Sequence, residues 1–90
     1  MSLRVTARIT ARDPEALIPL LHQLTEHSRN EPGCLDYGWY RKGAVFTSVE
    51  LWQTPEAERA HNRTAFLDDL LCRIVPLLEG RPEVTRWENI

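Results

Sequence analysis

The residues that could carry out chemistry lie close together in the stretch SVELWQTPEAERAH, from Ser48 to His61. Glu50 supplies a carboxylate, Trp52 an indole and His61 an imidazole. An imidazole titrates close to neutral pH, and a carboxylate that lines a dry pocket can either accept a proton or orient a neighbouring histidine. If the three side chains surround one cavity, their types are suited to proton transfer on an apolar small molecule.

Each of these side chains also has a purely structural interpretation. Trp52 can be a core residue, since burying an indole of roughly 200 Å² at about 25 cal/mol per Å² contributes up to about 5 kcal/mol. Glu50 can form an ion pair with an arginine or a lysine, for instance with Arg8 across an interface between two chains. The imidazole of His61 can be satisfied by backbone groups at the end of a helix. The sequence leaves both interpretations open for each residue.

The elements that must position these residues follow from the periodicity of the chain. Residues 3–10 alternate apolar and polar side chains, which indicates a strand with one dry face. Asp13 and Pro14 are typical of a helix N-terminus, and leucines at helical spacing extend that helix to about Ser28. Pro19 removes one backbone hydrogen bond, so the helix is expected either to start after Pro14 or to bend near Pro19.

Three further strands and two further helical segments are predicted in the rest of the chain. A type II turn at Glu31-Pro32-Gly33-Cys34 leads into them. In order, they are strands over residues 34–41 and 44–52 joined at Lys42-Gly43, a short helix from Thr54-Pro55, a helix over residues 64–79 and a strand over residues 84–90. Pro76 is expected to bend or loosen the last turn of the longer helix.

The resulting order is β-α-β-β-α-β, with the second helical segment split in two. This is the ferredoxin-like arrangement, an α+β fold in which a four-stranded antiparallel sheet carries its helices on one face. Residues 1–90 are expected to form a single domain, because the chain has no linker, repeat or low-complexity segment. The helices can then cover only one face of the sheet.

The central hairpin determines which side chains share a face of the sheet. A two-residue loop at Lys42-Gly43 pairs Trp39 with Phe46, Tyr37 with Ser48 and Leu35 with Glu50. These six side chains and Trp52 are then predicted on one face. The opposite face is predicted to carry Tyr40, Val45, Thr47, Val49 and Leu51. Because neither face of this hairpin is polar, we expect the uncovered face to pack on a second copy of the chain, with Val49 and Leu51 near the interface.

Charge and composition argue against several classes of function. The formal net charge is −2 with acidic and basic residues interspersed, so there is no electrostatic footprint for nucleic acid or an anionic membrane. No apolar run approaches the roughly 20 residues that span a bilayer, and no signal peptide opens the sequence. Cys34 and Cys72 belong to no CxxC motif or His/Cys cluster, so we expect no metal site and a cytoplasmic location with reduced thiols.

The order and spacing of several short motifs resemble one known family. SRNEPGCLDYGWY (residues 28–40) followed by FTSVELWQTPEAERAH (residues 46–61) resembles the antibiotic biosynthesis monooxygenase (ABM) domains. Their usual pattern is a Ser-Arg-x-Glu-Pro-Gly-Cys turn, a tyrosine-bearing strand and Glu-x-Trp at a strand end. An acidic or proline-containing helix start and an Ala-His pair follow. The resemblance covers essentially the whole chain.

The resemblance implies a homodimeric α/β barrel in which two ferredoxin-like sheets pack face to face. Each subunit would keep a pocket between its own sheet and helices. Characterised relatives oxidise quinols or polycyclic aromatic polyketides with O₂ and without metal or flavin, while others degrade haem or rearrange small signalling sugars. The haem-degrading branch relies on an asparagine of the first strand, and the matching position here is Ala7, so the resemblance argues against haem degradation.

Together, the residues and the resemblance lead to one main hypothesis and two rivals. We expect a cofactor-independent monooxygenase that acts on a small phenolic, quinol or polyketide-like aromatic with O₂ and no metal. His61 is the expected base and Glu50 its orienting partner. The expected substrate-binding residues are Trp52, Tyr37, Phe46, Ser48 and Phe66. The rivals are a non-enzymatic small-molecule binding protein and an isomerase of the same fold.

Overall fold

A four-stranded antiparallel sheet forms the frame of the molecule, and the helices pack against one of its faces. The computed structural model describes residues 2–90. In chain order the elements are β1 (Leu3–Thr10), α1 (Pro14–Arg29), β2 (Cys34–Lys42), β3 (Val45–Trp52), α2 (Pro55–His61), α3 (Ala65–Ile74), a 3-10 turn (Val75–Leu77) and β4 (Glu83–Trp87). The strand order β2-β3-β1-β4 confirms the predicted ferredoxin-like α+β fold. None of the helices in residues 2–90 is long and apolar enough to cross a membrane.

The first helix begins where the sequence predicts and runs through its internal proline. The side chain of Asp13 accepts a hydrogen bond from the backbone N–H of Ala16 at 3.3 Å, and Pro14 occupies the first turn. Because the helix starts at Pro14 and includes Pro19, the expected alternative of a later start is wrong. Its buried side chains are Leu17, Leu21, Leu24 and Ser28.

The turn between α1 and β2 brings the chain close to α2. Gly33 has a φ of +82°, and the backbone N–H of Cys34 donates to the carbonyl of Glu31 at 3.1 Å, as expected for a type II turn. A Cβ atom at Gly33 would lie 2.6 Å from the Cβ of Ala57 in α2. Glycine is therefore required here both for its backbone conformation and for the close approach of the helix.

The hairpin between β2 and β3 has a different register from the predicted one. Its loop is formed by residues 43–44, one position later than expected, and Gly43 takes a φ of +60°. The pairs across the two strands are Tyr37 with Glu50 and Trp39 with Ser48. Because side chains alternate along a strand with a period of two, this shift by two positions leaves the faces as predicted.

Leu35 is the exception to the predicted faces. The register shifts between Cys34 and Asp36, which is the mark of a β-bulge, and Leu35 is 56% exposed. The prediction that Leu35 shares the inner face with Glu50 is therefore wrong, because the bulge interrupts the alternation at the start of β2.

The third helix and the last strand are shorter than predicted. The helix ends at Ile74 and continues as the single 3-10 turn that contains Pro76. Proline has no N–H to donate to the preceding turn, so the helix stops before residue 79 instead of loosening only at its end. β4 ends at Trp87.

The two faces of the sheet differ in burial. The inner face carries side chains that are at most 5% exposed and pack with the helices in one core, among them Val5, Ile9, Tyr37, Phe46 and Trp52. The outer face is half-buried along β3, and its flanks carry Tyr40, which is 66% exposed, and Trp87, which is 52% exposed. An apolar surface of this kind remains partly uncovered in the single chain.

Candidate functional site

A largely apolar cavity of about 390 Å³ lies between the inner face of the sheet and the helices. Its apolar wall includes Tyr37, Trp39, Leu67, Leu71, Ile74 and Val84. Its polar lining consists of Glu50, Glu58, His61, Asn62 and Arg86. A pocket of this size and character, apolar with a few polar groups, is typical of sites for small organic molecules.

The polar groups lie at one end of the cavity. Glu50, Val5 and Arg86 are neighbours in register across β3, β1 and β4, so they form one row across the sheet. Glu58 and His61 belong to α2, and Asn62 is the C-terminal cap of that helix. Arg86 contacts α2 through its bond to Glu58. The far end of β1 meets the segment after α3, where the lining side chains are apolar. The cavity is therefore suited to a ligand with one polar end and one apolar end.

Glu50 belongs to the cavity wall and forms no salt bridge within residues 2–90. It is 5% exposed, and its carboxylate accepts hydrogen bonds from the Ser48 hydroxyl at 2.6 Å and from the Trp52 indole N–H at 3.1 Å. These residues alternate along β3, so all of them project to the inner face. Arg8, the alternative partner, lies on the other face and bonds Glu83. The structure thus places Glu50 at the cavity and not in an ion pair with Arg8.

The imidazole of His61 is bonded to Glu31 and not to Glu50. Its Nδ1 lies 2.5 Å from the Glu31 carboxylate, and the two side chains are only 6% and 11% exposed. The ring centroid of His61 lies 4.7 Å from that of Trp52 and 5.8 Å from that of Tyr37. The expectation that Glu50 holds the histidine directly is therefore wrong. The cause is the turn before β2, which carries Glu31 against the end of α2.

Tyr37 forms part of the cavity wall and is the cross-strand neighbour of Glu50. Burial raises the pKa of its hydroxyl far above the usual value, and the nearby charge of Glu50 raises this pKa further. The hydroxyl oxygen accepts a hydrogen bond from the Trp39 indole N–H at 3.3 Å. Tyr37 therefore stays protonated at physiological pH, and it can serve as a wall and a hydrogen-bond donor but not as a base.

Glu58 is held by a cation. Arg86 donates from Nε to one carboxylate oxygen at 2.9 Å and from Nη2 to the other at 3.0 Å, and Asn62 donates a further hydrogen bond. The hydrogen bonds from Arg86 lower the pKa of Glu58 and outweigh its burial, which acts in the opposite direction. This ion pair connects α2 to β4 at the cavity, which both side chains line.

The remaining predicted binding residues do not line the cavity themselves. Trp52 and Ser48 are fully buried behind the cavity wall, where each holds Glu50, and the Ser48 hydroxyl also accepts from the Ala7 backbone N–H at 2.9 Å. Phe46 and Phe66 do not line the cavity. Phe46 borders a groove between α1 and β2.

Phe66 lies on the far side of α3 from the cavity. Its ring stacks on that of His27 with centroids 3.8 Å apart. The next residue, Leu67, lines the cavity instead. One residue turns a helix by about 100°, which is enough to carry Phe66 away from the cavity and towards α1. The prediction that Phe66 is a wall of the site is wrong for this reason.

Sequence reasoning missed three charged residues of this region, namely Glu31, Glu58 and Arg86. Glu31 is the first residue of the Glu-Pro-Gly-Cys turn in the family motif, so its position in that motif could have indicated a functional carboxylate. Glu58 precedes His61 by one helical turn, so the two share a face of α2. Arg86 follows Val84 at the spacing that puts both on one face of β4.

The arrangement can support proton transfer at the edge of an apolar space. It combines a buried histidine bonded to a carboxylate, a second carboxylate held by two neutral donors, and aromatic walls. Within residues 2–90, no group of three or more His, Cys, Asp and Glu side chains is placed to hold a metal ion.

Comparison with known proteins agrees with this architecture. The family model for antibiotic biosynthesis monooxygenase matches residues 2–70. No curated protein sequence matches the chain significantly.

Solved structures match over nearly the whole chain. A conserved protein from Methanosarcina mazei Go1 has a TM-score of 0.92 at 23% identity, covering 100% of this chain and 94% of that one. An antibiotic biosynthesis monooxygenase has a TM-score of 0.89 at 26% identity, covering 98% of both chains. SnoaB, a cofactor-independent oxygenase from Streptomyces nogalater, has a TM-score of 0.87 at 13% identity, with 98% and 92% covered. These likenesses confirm the fold.

Proposed function

Since its residues 2–70 match the family model, this chain belongs to the antibiotic biosynthesis monooxygenase family, and we propose that it is a cofactor-independent monooxygenase of a small aromatic substrate. The substrate would be a phenol, a quinol or a polyketide-like aromatic with a free hydroxyl. One observation carries the proposal: a buried histidine, bonded to a carboxylate, borders an apolar cavity of about 390 Å³. Such a cavity can bind an aromatic ring system and exclude water around it.

In the proposed reaction the substrate supplies the electrons. His61 takes the hydroxyl proton of the substrate on Nε2, and the resulting phenolate donates electrons to O₂ more readily than the phenol does. For a phenol oxidised to a quinone, one atom of O₂ bonds to a ring carbon and the other leaves as water. The ring hydrogen and the hydroxyl proton supply the two hydrogens of that water. The protein contributes the base, the orientation and the dry surroundings.

Glu50 has a different role in this proposal from the one predicted from the sequence. Its carboxylate is fixed by Ser48 and Trp52 and borders the cavity near Tyr37. We assign it to accept a hydrogen bond from the substrate, and so to orient the hydroxyl end towards His61. Tyr37 and Trp39 would flank the ring, and the apolar residues of α3 and β4 would hold the remainder of the substrate.

We also propose that the chain acts as a cytoplasmic homodimer, with residues 1–90 as one domain. The support is the outer face of the sheet, where Val49 and Leu51 are half-buried between exposed Tyr40 and Trp87. Substituting Leu51→Lys should convert the dimer into monomer in light scattering, while Gln23→Lys, on the exposed side of α1, should not. A wild-type monomer at micromolar concentration would contradict this proposal.

The proposed reaction is tested by O₂ consumption. Metal-free protein is mixed with a panel of phenols and quinols, and the rate is compared with autoxidation in buffer. The substitution His61→Ala should reduce turnover by about 100-fold or more with substrate affinity largely kept. The matched control is His22→Ala, since His22 is exposed and lies outside the cavity. An absence of turnover above autoxidation with every substrate would overturn the proposed activity.

A further inference from the structure

We propose that Glu31 is a positioning residue, which fixes the ring of His61 in the tautomer that presents a basic Nε2 to the cavity. This inference rests on the proposed function for its catalytic meaning, but the tautomer can be measured without any substrate. The four observations behind it are the hydrogen bond at Nδ1, the surroundings of Nε2, the aromatic neighbours of the ring and the bonds already made by Glu50.

The hydrogen bond at Nδ1 determines where the proton of the neutral ring resides. Glu31 lies 2.5 Å from Nδ1, and both side chains are almost fully buried. An ionised carboxylate is only an acceptor, so the shared hydrogen must come from the imidazole. The neutral ring therefore carries its hydrogen on Nδ1 and has its lone pair on Nε2.

The surroundings of Nε2 differ from those of Nδ1. Nε2 has no hydrogen-bond partner within residues 2–90. Among the fully enclosed polar side-chain atoms of these residues, Ser28 Oγ is the only one without a partner. Nε2 is therefore not fully enclosed, and His61 lines the cavity. A lone pair in this position is available to accept a proton from a ligand.

The aromatic neighbours restrict rotation of the ring. The indole of Trp52 lies against the imidazole with centroids 4.7 Å apart and planes inclined by 38°. Tyr37 lies 5.8 Å away at 54°. A ring flip would put Cδ2 in the place of Nδ1 and would leave the carboxylate of Glu31 buried without its partner, which is unfavourable. Packing and hydrogen bonding thus favour one orientation.

Glu50 cannot take over this function. Its carboxylate accepts from Ser48 and Trp52 and makes no hydrogen bond to His61, whose Nδ1 is bonded to Glu31 instead. When His61 takes up a proton, the positive charge forms beside Glu31 and the two groups become a neutral pair. The carboxylate of Glu31 thereby supplies the negative charge beside the imidazolium that forms in the proposed reaction.

The experiment is ¹⁵N NMR of the histidine side chains in wild type, Glu31→Gln and Glu31→Ala at a pH where His61 is neutral. In the wild type, His61 should be almost entirely the Nδ1–H form. In Glu31→Ala, the population of the Nε2–H form should increase several-fold. Glu31→Gln should retain the Nδ1–H form, since its amide oxygen still accepts. The control is Glu26→Gln, because Glu26 is exposed on α1 and its side chain makes no hydrogen bond to any of residues 2–90.

Kinetics provide the second measurement. Turnover should fall roughly 100-fold in Glu31→Ala and about tenfold in Glu31→Gln, in kcat more than in KM, since the neutral amide keeps the orientation but does not stabilise the imidazolium. A wild-type His61 in the Nε2–H form, or a tautomer unchanged in Glu31→Ala, would overturn the proposal. If Glu31→Ala does not fold, the wild-type spectrum and the kcat of Glu31→Gln still decide. If no substrate is turned over, the tautomer alone decides, so the two proposals fail separately.

Discussion

Two carboxylates at the same end of the cavity are held by opposite means. Glu58 is bound by the guanidinium of Arg86, so its charge is cancelled by a cation of β4. Glu50 is bound by a hydroxyl and an indole N–H of its own strand, which are neutral donors. This difference in hydrogen-bond donors predicts different roles for Glu58 and Glu50. In the proposed function, Glu58 with its bidentate arginine has a structural role, while Glu50, held by neutral donors, is the carboxylate that accepts a hydrogen bond from a ligand.

The largest effect that would separate the two carboxylates is on catalysis. Glu50→Gln should reduce turnover by about 100-fold, because the proposed acceptor for the substrate hydroxyl loses its charge. The fold should survive, since the amide oxygen can still accept from Trp52 and the amide N–H₂ can donate to Ser48. Oxygen consumption and circular dichroism measure the two properties.

Glu58→Gln is the matched control, as it makes the same chemical change on the neighbouring wall. It should lower the free energy of unfolding but leave turnover of the folded protein within a few-fold of wild type. If Glu58→Gln abolished turnover while Glu50→Gln did not, the assignment of the two roles would be reversed.

The next effect is on stability. Arg86→Ala leaves the buried carboxylate of Glu58 without its cation and should lower the free energy of unfolding by about 2 kcal/mol. That value is less than for a fully enclosed pair because the arginine side chain is 51% exposed. Arg86→Lys should recover only part of the loss, since an ammonium cannot form the two parallel bonds. Urea unfolding measures both, and an unchanged midpoint in Arg86→Ala would contradict the structural role of the pair.

The smallest effect is on the pH dependence of that stability. Since Arg86 lowers the pKa of Glu58 in the folded state, the ionised carboxylate stabilises the fold above the unfolded value of about 4.3, and this contribution is lost as pH falls through the folded pKa. The difference in unfolding free energy between wild type and Arg86→Ala should therefore be full at neutral pH. It should shrink when the pH is lowered below 4, as the carboxylate of Glu58 takes up a proton. A difference that is constant from pH 7 to pH 3 would mean that the pair does not contribute through its charge.

How far the sequence predicts this site depends on whether a contact is local. Ser48, Glu50 and Trp52 share a face because they alternate along one strand, and alternation survived even an error of two positions in the hairpin register. Only the bulge at Leu35 broke it. The strand order followed from the same periodicities and from the handedness of the crossovers.

The contact between Glu31 and His61 could not be predicted in this way. It joins residues 30 positions apart, and it forms only if α2 packs closely against the turn at residues 31–34. The spacing of side chains along one element does not predict how closely that element packs against another. The same holds for Arg86 and Glu58, whose contact joins β4 to α2, and for Phe66, where a rotation of one residue on α3 decides which side it faces.

The absence of a side chain at Gly33 has a consequence for the evolution and engineering of this site. Because Ala57 fills the place that a Cβ would take, the small residues at positions 33 and 57 set the distance between the turn that carries Glu31 and the helix that carries His61. A larger side chain at either position is expected to increase the distance between Glu31 and His61. Substitutions at these two positions are therefore expected to change the contact between Glu31 and His61 without remodelling the pocket, which neither residue lines.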